Sequence, residues 1–289
     1  MKPILTRSLW LLIAIAIVLP VAQAQEAQAA EEFMQFLKVA TATWAVEKVL
    51  DKAKSIAFPT TSAEQDFNHG IALQHGGNHQ QAMDAFRQSA EKGYAPAQNI
   101  MGDAARDSGN YADALSWYDK SAAQKDIHGL YQAAAIYWNG AVGVPHDYGR
   151  ALDYLKTAAD LGDRDAQSQF GSFVYLGDHI QKNPVQAAHY FELAAKQGDA
   201  MAEQAYGLCF AIGDACPQDF KAAQFWFRQA ADQGEPMAEY NVGAMFQNGD
   251  AGTVDYCQAR YWFRKAAAQG NSMATEALTK TSQPPSCQY

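Results

Sequence analysis

Charge is scarce in this sequence: 18% of its 289 residues are Asp, Glu, Lys or Arg. Basic residues are rarer still, 22 against 31 acidic, for a formal net charge of −9. Duplex nucleic acid needs a basic face on its partner, so that ligand class is set aside. Four cysteines are too few for a small disulfide-stapled scaffold. With 21 glycines and 10 prolines, the chain is neither collagen-like nor of low complexity. Familiar catalytic signatures are missing as well: there is no H-E-x-x-H, G-x-S-x-G, C-x-x-C or G-x-x-x-x-G-K. His69, His75 and His79 lie close in sequence, but His75 and His79 straddle Gly76-Gly77. Helical i,i+4 metal ligation is therefore not implied, and these read as solvated turn histidines. No cofactor and no metal are expected.

Apolar residues make up 48% of the chain, ample for a core and incompatible with wholesale disorder. Lys2 and Arg7 precede an uncharged apolar run, Leu9 to Leu19, then Pro20 and Ala22-Gln23-Ala24. This is the pattern of a secretory signal peptide over residues 1–24, and the run is too short to span a bilayer. A periplasmic or secreted location is expected, without stable membrane insertion after cleavage. That compartment permits disulfides. Cys209 and Cys216, seven residues apart, are a local candidate pair, which leaves Cys257 with Cys287; four free thiols are the alternative.

The strongest feature is internal repetition, with units at about 63–94, 95–126, 127–163, 164–199, 200–235 and 236–271. One column reads Gly70, Gly102, Ala134, Gly171, Gly207, Gly243, where two helices approach too closely for a larger side chain. A second, Asn78, Asn110, Asp147, Asn183, Asp219, Asp255, is Asn or Asp throughout, as expected of helix N-caps. A third, Ala82 to Ala259, is invariant alanine, and a fourth runs Ala85, Trp117, Tyr154, Tyr190, Trp226, Trp262. Each unit closes in a break such as Leu161-Gly162-Asp163, where glycine permits a left-handed helix end. Every unit thus reads as helix, turn, helix. One pair buries too little apolar surface to fold alone, whereas stacked pairs share a continuous core. The expected fold is an all-α, right-handed α-solenoid.

Tyr137-Trp138-Asn139-Gly140 with Gly143-Val144-Pro145-His146-Asp147, and the stretches Phe225 to Ala231 and Tyr261 to Gly270, resemble Sel1-like repeats, relatives of the tetratricopeptide repeat. The resemblance covers four units over 127–271, while the two units of 63–126, with a 32-residue spacing, look more like shortened tetratricopeptide repeats. Asp178-His179-Ile180 stands where the family has a Gly-Val turn. Residues 25–62 read as a flexible leader and an amphipathic capping helix from Glu31 to Ala57, for which a dimerisation or partner-binding role is the alternative. Residues 272–289 read as a half-repeat cap and tail.

The resemblance implies that first helices line a concave groove. It places Tyr131, Ala135, Trp138 and Asn139 there, with Asp165, Ser168, Ser172 and Tyr175 from the next unit. Asn99, Asp103, Arg106 and Asp107 precede them, and Gln204, Tyr240, Gln247 and Asn248 follow. An aromatic centre of Tyr131, Trp138 and Tyr175 beside acidic residues suits a partner protein with a basic segment or helix. The alternative for each ring is packing in the core. The expected function is a non-enzymatic protein–protein adaptor. The resemblance also allows a periplasmic immunity protein that neutralises a toxic effector. A cell-wall enzyme using Asp103, Asp107 or Asp165 as acid and base is the less favoured reading, since nothing pairs them with a pocket.

Overall fold

The computed structural model describes residues 60–281. The signal segment, the helix expected over 31–57, and the tail with Pro284, Pro285 and Cys287 lie outside the described residues. Among the described residues there are thirteen α-helices and no strand. They are α1 (Ser62–His75), α2 (His79–Glu91), α3 (Ala95–Asp107), α4 (Tyr111–Ala122), α5 (Ile127–Asn139), α6 (Tyr148–Asp160) and α7 (Arg164–Leu176), then α8 (Pro184–Lys196), α9 (Ala200–Ile212), α10 (Phe220–Asp232), α11 (Pro236–Asn248), α12 (Tyr256–Ala268) and α13 (Ser272–Lys280). Odd-numbered helices are the first of each pair and even-numbered helices the second. Each packs on its neighbours in sequence, so the described residues form an α-solenoid of six pairs and a terminal half-pair.

The capping column behaves as its chemistry requires. The side chains of Asn110, Asp147, Asn183, Asp219 and Asp255 each accept a backbone N–H from the first turn of their helix. Asn78 differs: it precedes α2 without a side-chain cap bond. The breaks between pairs turn on a left-handed residue. Gly93, Gly162, Gly198, Gly234 and Gly270 all have φ between 79° and 93°, and Lys125 takes the same place with φ 64°.

The small-residue column is fixed by what faces it. A β-carbon on Gly207 would lie 2.7 Å from Phe227, one on Gly171 2.8 Å from Phe191, and one on Gly102 2.5 Å from Tyr118. Ala134 has one carbon more than these glycines, and the residue in register opposite it is Leu155, smaller than the rings elsewhere. Volume is thus exchanged across the pair, as close packing demands.

Candidate functional site

Positions recurring at i, i+4, i+7 and i+11 along a first helix share one face. On α9 these are Met201, Ala205, Leu208 and Ile212, none of them charged. Met201 is 70% exposed and Ile212 54% exposed, and Leu176, at the matching end of α7, is 71% exposed. Met237 and Ala244 continue the strip on α11, and Met273 on α13. Next to an amphipathic helix such as α10, α9 is apolar on the face it leaves open as well as on its buried one, with Glu203, Gln204 and Tyr206 as its exceptions. The matching positions are Pro96, Ile100, Asp103 and Asp107 on α3, and His128, Gln132, Ala135 and Asn139 on α5, so both faces are of mixed polarity. Among the first helices of the described residues, α9 alone carries no polar residue at these positions.

The structure shows what covers the aromatic residues expected in the groove. Tyr131, Trp138 and Tyr175 are half-buried and pack against one core cluster. Trp138 meets Phe173 at 4.6 Å and Tyr148 at 5.1 Å between ring centroids. Tyr175 packs on Phe191, with Lys182 over its ring. Tyr240 packs on Phe263. Trp138 thus joins its unit to the next through Phe173, Tyr175 and Tyr240 pack on rings of their own units, and all present only part of their surface.

Several expected polar contacts are also used internally. Tyr131 Oη donates to Asp163 Oδ1 at 2.7 Å, Asn99 Nδ2 to Asp126 Oδ1 at 2.7 Å, and Ser168 Oγ to Asp199 Oδ1 at 3.0 Å. Each acceptor is the N-cap of the next first helix. Burial, with the bond to Asp163, pushes the Tyr131 phenol well above its ordinary value. Asp103 accepts from Tyr118 Oη at 2.7 Å and lies 3.1 Å from Arg106 and 3.4 Å from His128. Arg106 Nη1 donates to Gln132 Oε1 across to α5 at 2.9 Å. Asn139 Nδ2 turns back to Ala135 O. Asp107 and Asp165 stay exposed beside Arg106 and Arg164, and Gln204 is half-exposed. The aliphatic strip of α9 was missed because Met and Leu at helical spacing read as core until the neighbouring helices are placed.

The expected Cys209–Cys216 bond is not formed: both residues are free thiols. They are neighbours nonetheless. Burial pushes the Cys209 thiol up to about 12. Cys287, the partner expected for Cys257, lies outside the described residues. Also among the described residues, no group of three or more His, Cys, Asp or Glu side chains is placed to hold a metal, and no helix is long and apolar enough to cross a membrane.

The Sel1 repeat profile matches residues 96–126, 127–163, 165–199, 200–235 and 236–271. It thus includes 96–126, a unit whose spacing looked closer to a tetratricopeptide repeat. Among solved structures, the chain is similar to c5321, a protective antigen of uropathogenic Escherichia coli strains displaying an SLR fold. That match has 26% identity and a TM-score of 0.69, over 75% of this chain and 48% of that one. The chain spans about half the length of that protein. It is also similar in fold to a Sel1 repeat protein from Oxalobacter formigenes, at 22% identity and a TM-score of 0.61 over 78% of this chain and 90% of that one. The immunity protein Pa5087 of Pseudomonas aeruginosa matches at 17% identity and a TM-score of 0.37, over 78% of this chain and 90% of that one, too low a score to carry an argument. No curated protein matches the sequence.

Proposed function

The chain belongs to the Sel1 repeat family, and on that premise we propose that it is a non-enzymatic scaffold holding a partner protein on its first-helix face. The observation that carries this reading is the aliphatic strip of α9, with Leu176 and Met237 on either side. Exposed apolar side chains aligned on one face of a solenoid favour an interaction site, and their burial supplies a driving force for binding. Asp107, exposed on α3, favours a partner with a basic segment. The apolar run before Ala22-Gln23-Ala24 supports export, and hence a periplasmic or secreted setting for this binding.

The test is affinity capture from an envelope extract, with wild-type protein and a Met201→Asp/Ile212→Asp variant of equal helicity by circular dichroism. The retained protein is then purified and titrated against both by calorimetry. A partner bound by wild type and weakened at least tenfold by the variant supports the assignment. Equal affinity for both overturns it. The partner's identity separates an adaptor from an immunity role.

A further inference from the structure

A buried polar column runs through the first helices: Gln98, Gln167, Glu203 and Glu239, interrupted by Leu130. In the two glutamine units the side-chain amide works at both ends. Gln98 Nε2 donates to Ala90 O at 3.1 Å in the preceding pair, and its Oε1 accepts from Gln124 Nε2 at 2.8 Å. Gln167 repeats this, donating to Ala159 O at 3.1 Å and accepting from Gln197 at 2.8 Å. Both receiving carbonyls also accept the N–H of the break glycine, Gly93 or Gly162.

At α9 the same register holds a carboxyl group. Glu203 is 4% exposed and keeps the accepting half of the pattern, from Gln233 Nε2 at 2.8 Å. The carbonyl in register for the donating half is that of Ala195, already marked by the Gly198 N–H it accepts. A carboxylate has no hydrogen to give it, whereas a carboxylic acid has one. Glu239, the other carboxyl of the column, accepts from Gln269 and has Lys265 Nζ at 3.0 Å to neutralise it. The residue of α10 in the register of Lys265 is the neutral Gln229. The charged groups set around Glu203 do not replace a lysine. Asp199, the N-cap of α9, is a further acidic side chain, and Arg164 lies 4.0 Å from it. On α8, Lys196 is paired with Glu192. Beyond α10, Glu235 is a further carboxyl, raised by burial.

We propose that Glu203 is carried as a carboxylic acid that donates to the Ala195 carbonyl, and that losing this proton loosens the α8–α9 junction, making it a pH-sensitive seam in the solenoid. Burial acts in the same direction, holding the carboxyl above the usual range; the Gln233 bond opposes it, and Asp199 adds to it. A carboxyl raised in the folded chain contributes stability that is complete below its unfolded value. That contribution is lost as pH rises through the folded one. The seam lies in the helix that carries Met201 and Ile212, but the proposal stands whether or not that face binds a partner.

The experiment is thermal unfolding of the full chain from pH 4.5 to 8.5, for wild type, Glu203→Gln, Glu239→Gln and Gln167→Glu. The expected result is a wild-type midpoint that falls with rising pH relative to Glu203→Gln. At pH 8, Glu203→Gln melts higher, by about 3–5 °C for each tenfold displacement of the proton equilibrium. Gln167→Glu acquires a similar fall, and Glu239→Gln, which strands Lys265, does not gain stability. Superimposed wild-type and Glu203→Gln profiles overturn the proposal. A carbon-13 titration of the Glu203 carboxyl reads the proton directly, and a midpoint within the ordinary glutamate range likewise overturns it.

Discussion

Tyr131 reaches across one pair of helices to give its phenolic proton to Asp163 Oδ1, the oxygen that also accepts the Ala166 N–H and so caps α7. One carboxylate oxygen thus ends a helix and fastens it to the preceding unit. Asn99 with Asp126 and Ser168 with Asp199 repeat the device. Residues that a groove reading assigns to a partner are in these cases joints of the solenoid.

Tyr131→Phe is therefore expected to lower stability by about 1–2 kcal/mol, the contribution of a hydrogen bond to a charged group, with no change in helix content. The sign of its pH dependence is set by the raised phenol. The contribution is intact below the ordinary value of 10.0 and declines as pH climbs above it, so the variant should show a flatter alkaline limb. Chemical unfolding at pH 7 and pH 11 checks both.

Gly207→Ala drives a β-carbon to 2.7 Å from the Phe227 ring and should cost about 1–3 kcal/mol. Adding Phe227→Leu to it reproduces the Ala134–Leu155 arrangement of another unit, and should recover part of that loss despite removing a buried ring. A double-mutant cycle with a favourable coupling energy is the expected outcome. Strict additivity would mean that the column is not set by the facing ring.

Lys125 occupies a left-handed position that is glycine in every other break. Lys125→Gly relieves a backbone conformation costing about 1–2 kcal/mol in an L-residue, offset by the greater freedom of glycine in the unfolded chain. A net gain of under about 1 kcal/mol is expected, seen as a small rise in the thermal midpoint.

Cys209, buried and with its thiol pushed up to about 12, exists almost wholly as the unreactive thiol near pH 8. Alkylation of the native chain should label Cys216, which is half-exposed, well before Cys209. We expect the pair to close on exchange with an oxidised dithiol in an oxidising compartment, the two thiol protons and electrons passing to that reagent. Peptide mapping under non-reducing conditions detects the bond, and its absence after such treatment would leave the two as permanent thiols.

The repeat register, the helical pairs, the N-caps and the left-handed breaks were all legible in the order of residues. Each depends on local chemistry: an Asn or Asp oxygen within reach of its own first turn, or a glycine free to adopt positive φ. Stacking was legible too, because the short period leaves each pair with an apolar face it cannot bury alone. Tertiary structure alone decided which members of a helical stripe are spent inside and which are left outside. Trp138 and Met201 both sit on first helices, yet Phe173 and Tyr148 cover much of one ring while the other side chain is left largely exposed. The same holds for polar groups. That buried Glu203 meets Gln233, while Glu239 meets both Gln269 and Lys265, follows from which helix packs behind each, a relation between residues some 26 to 30 apart in sequence that no local pattern encodes.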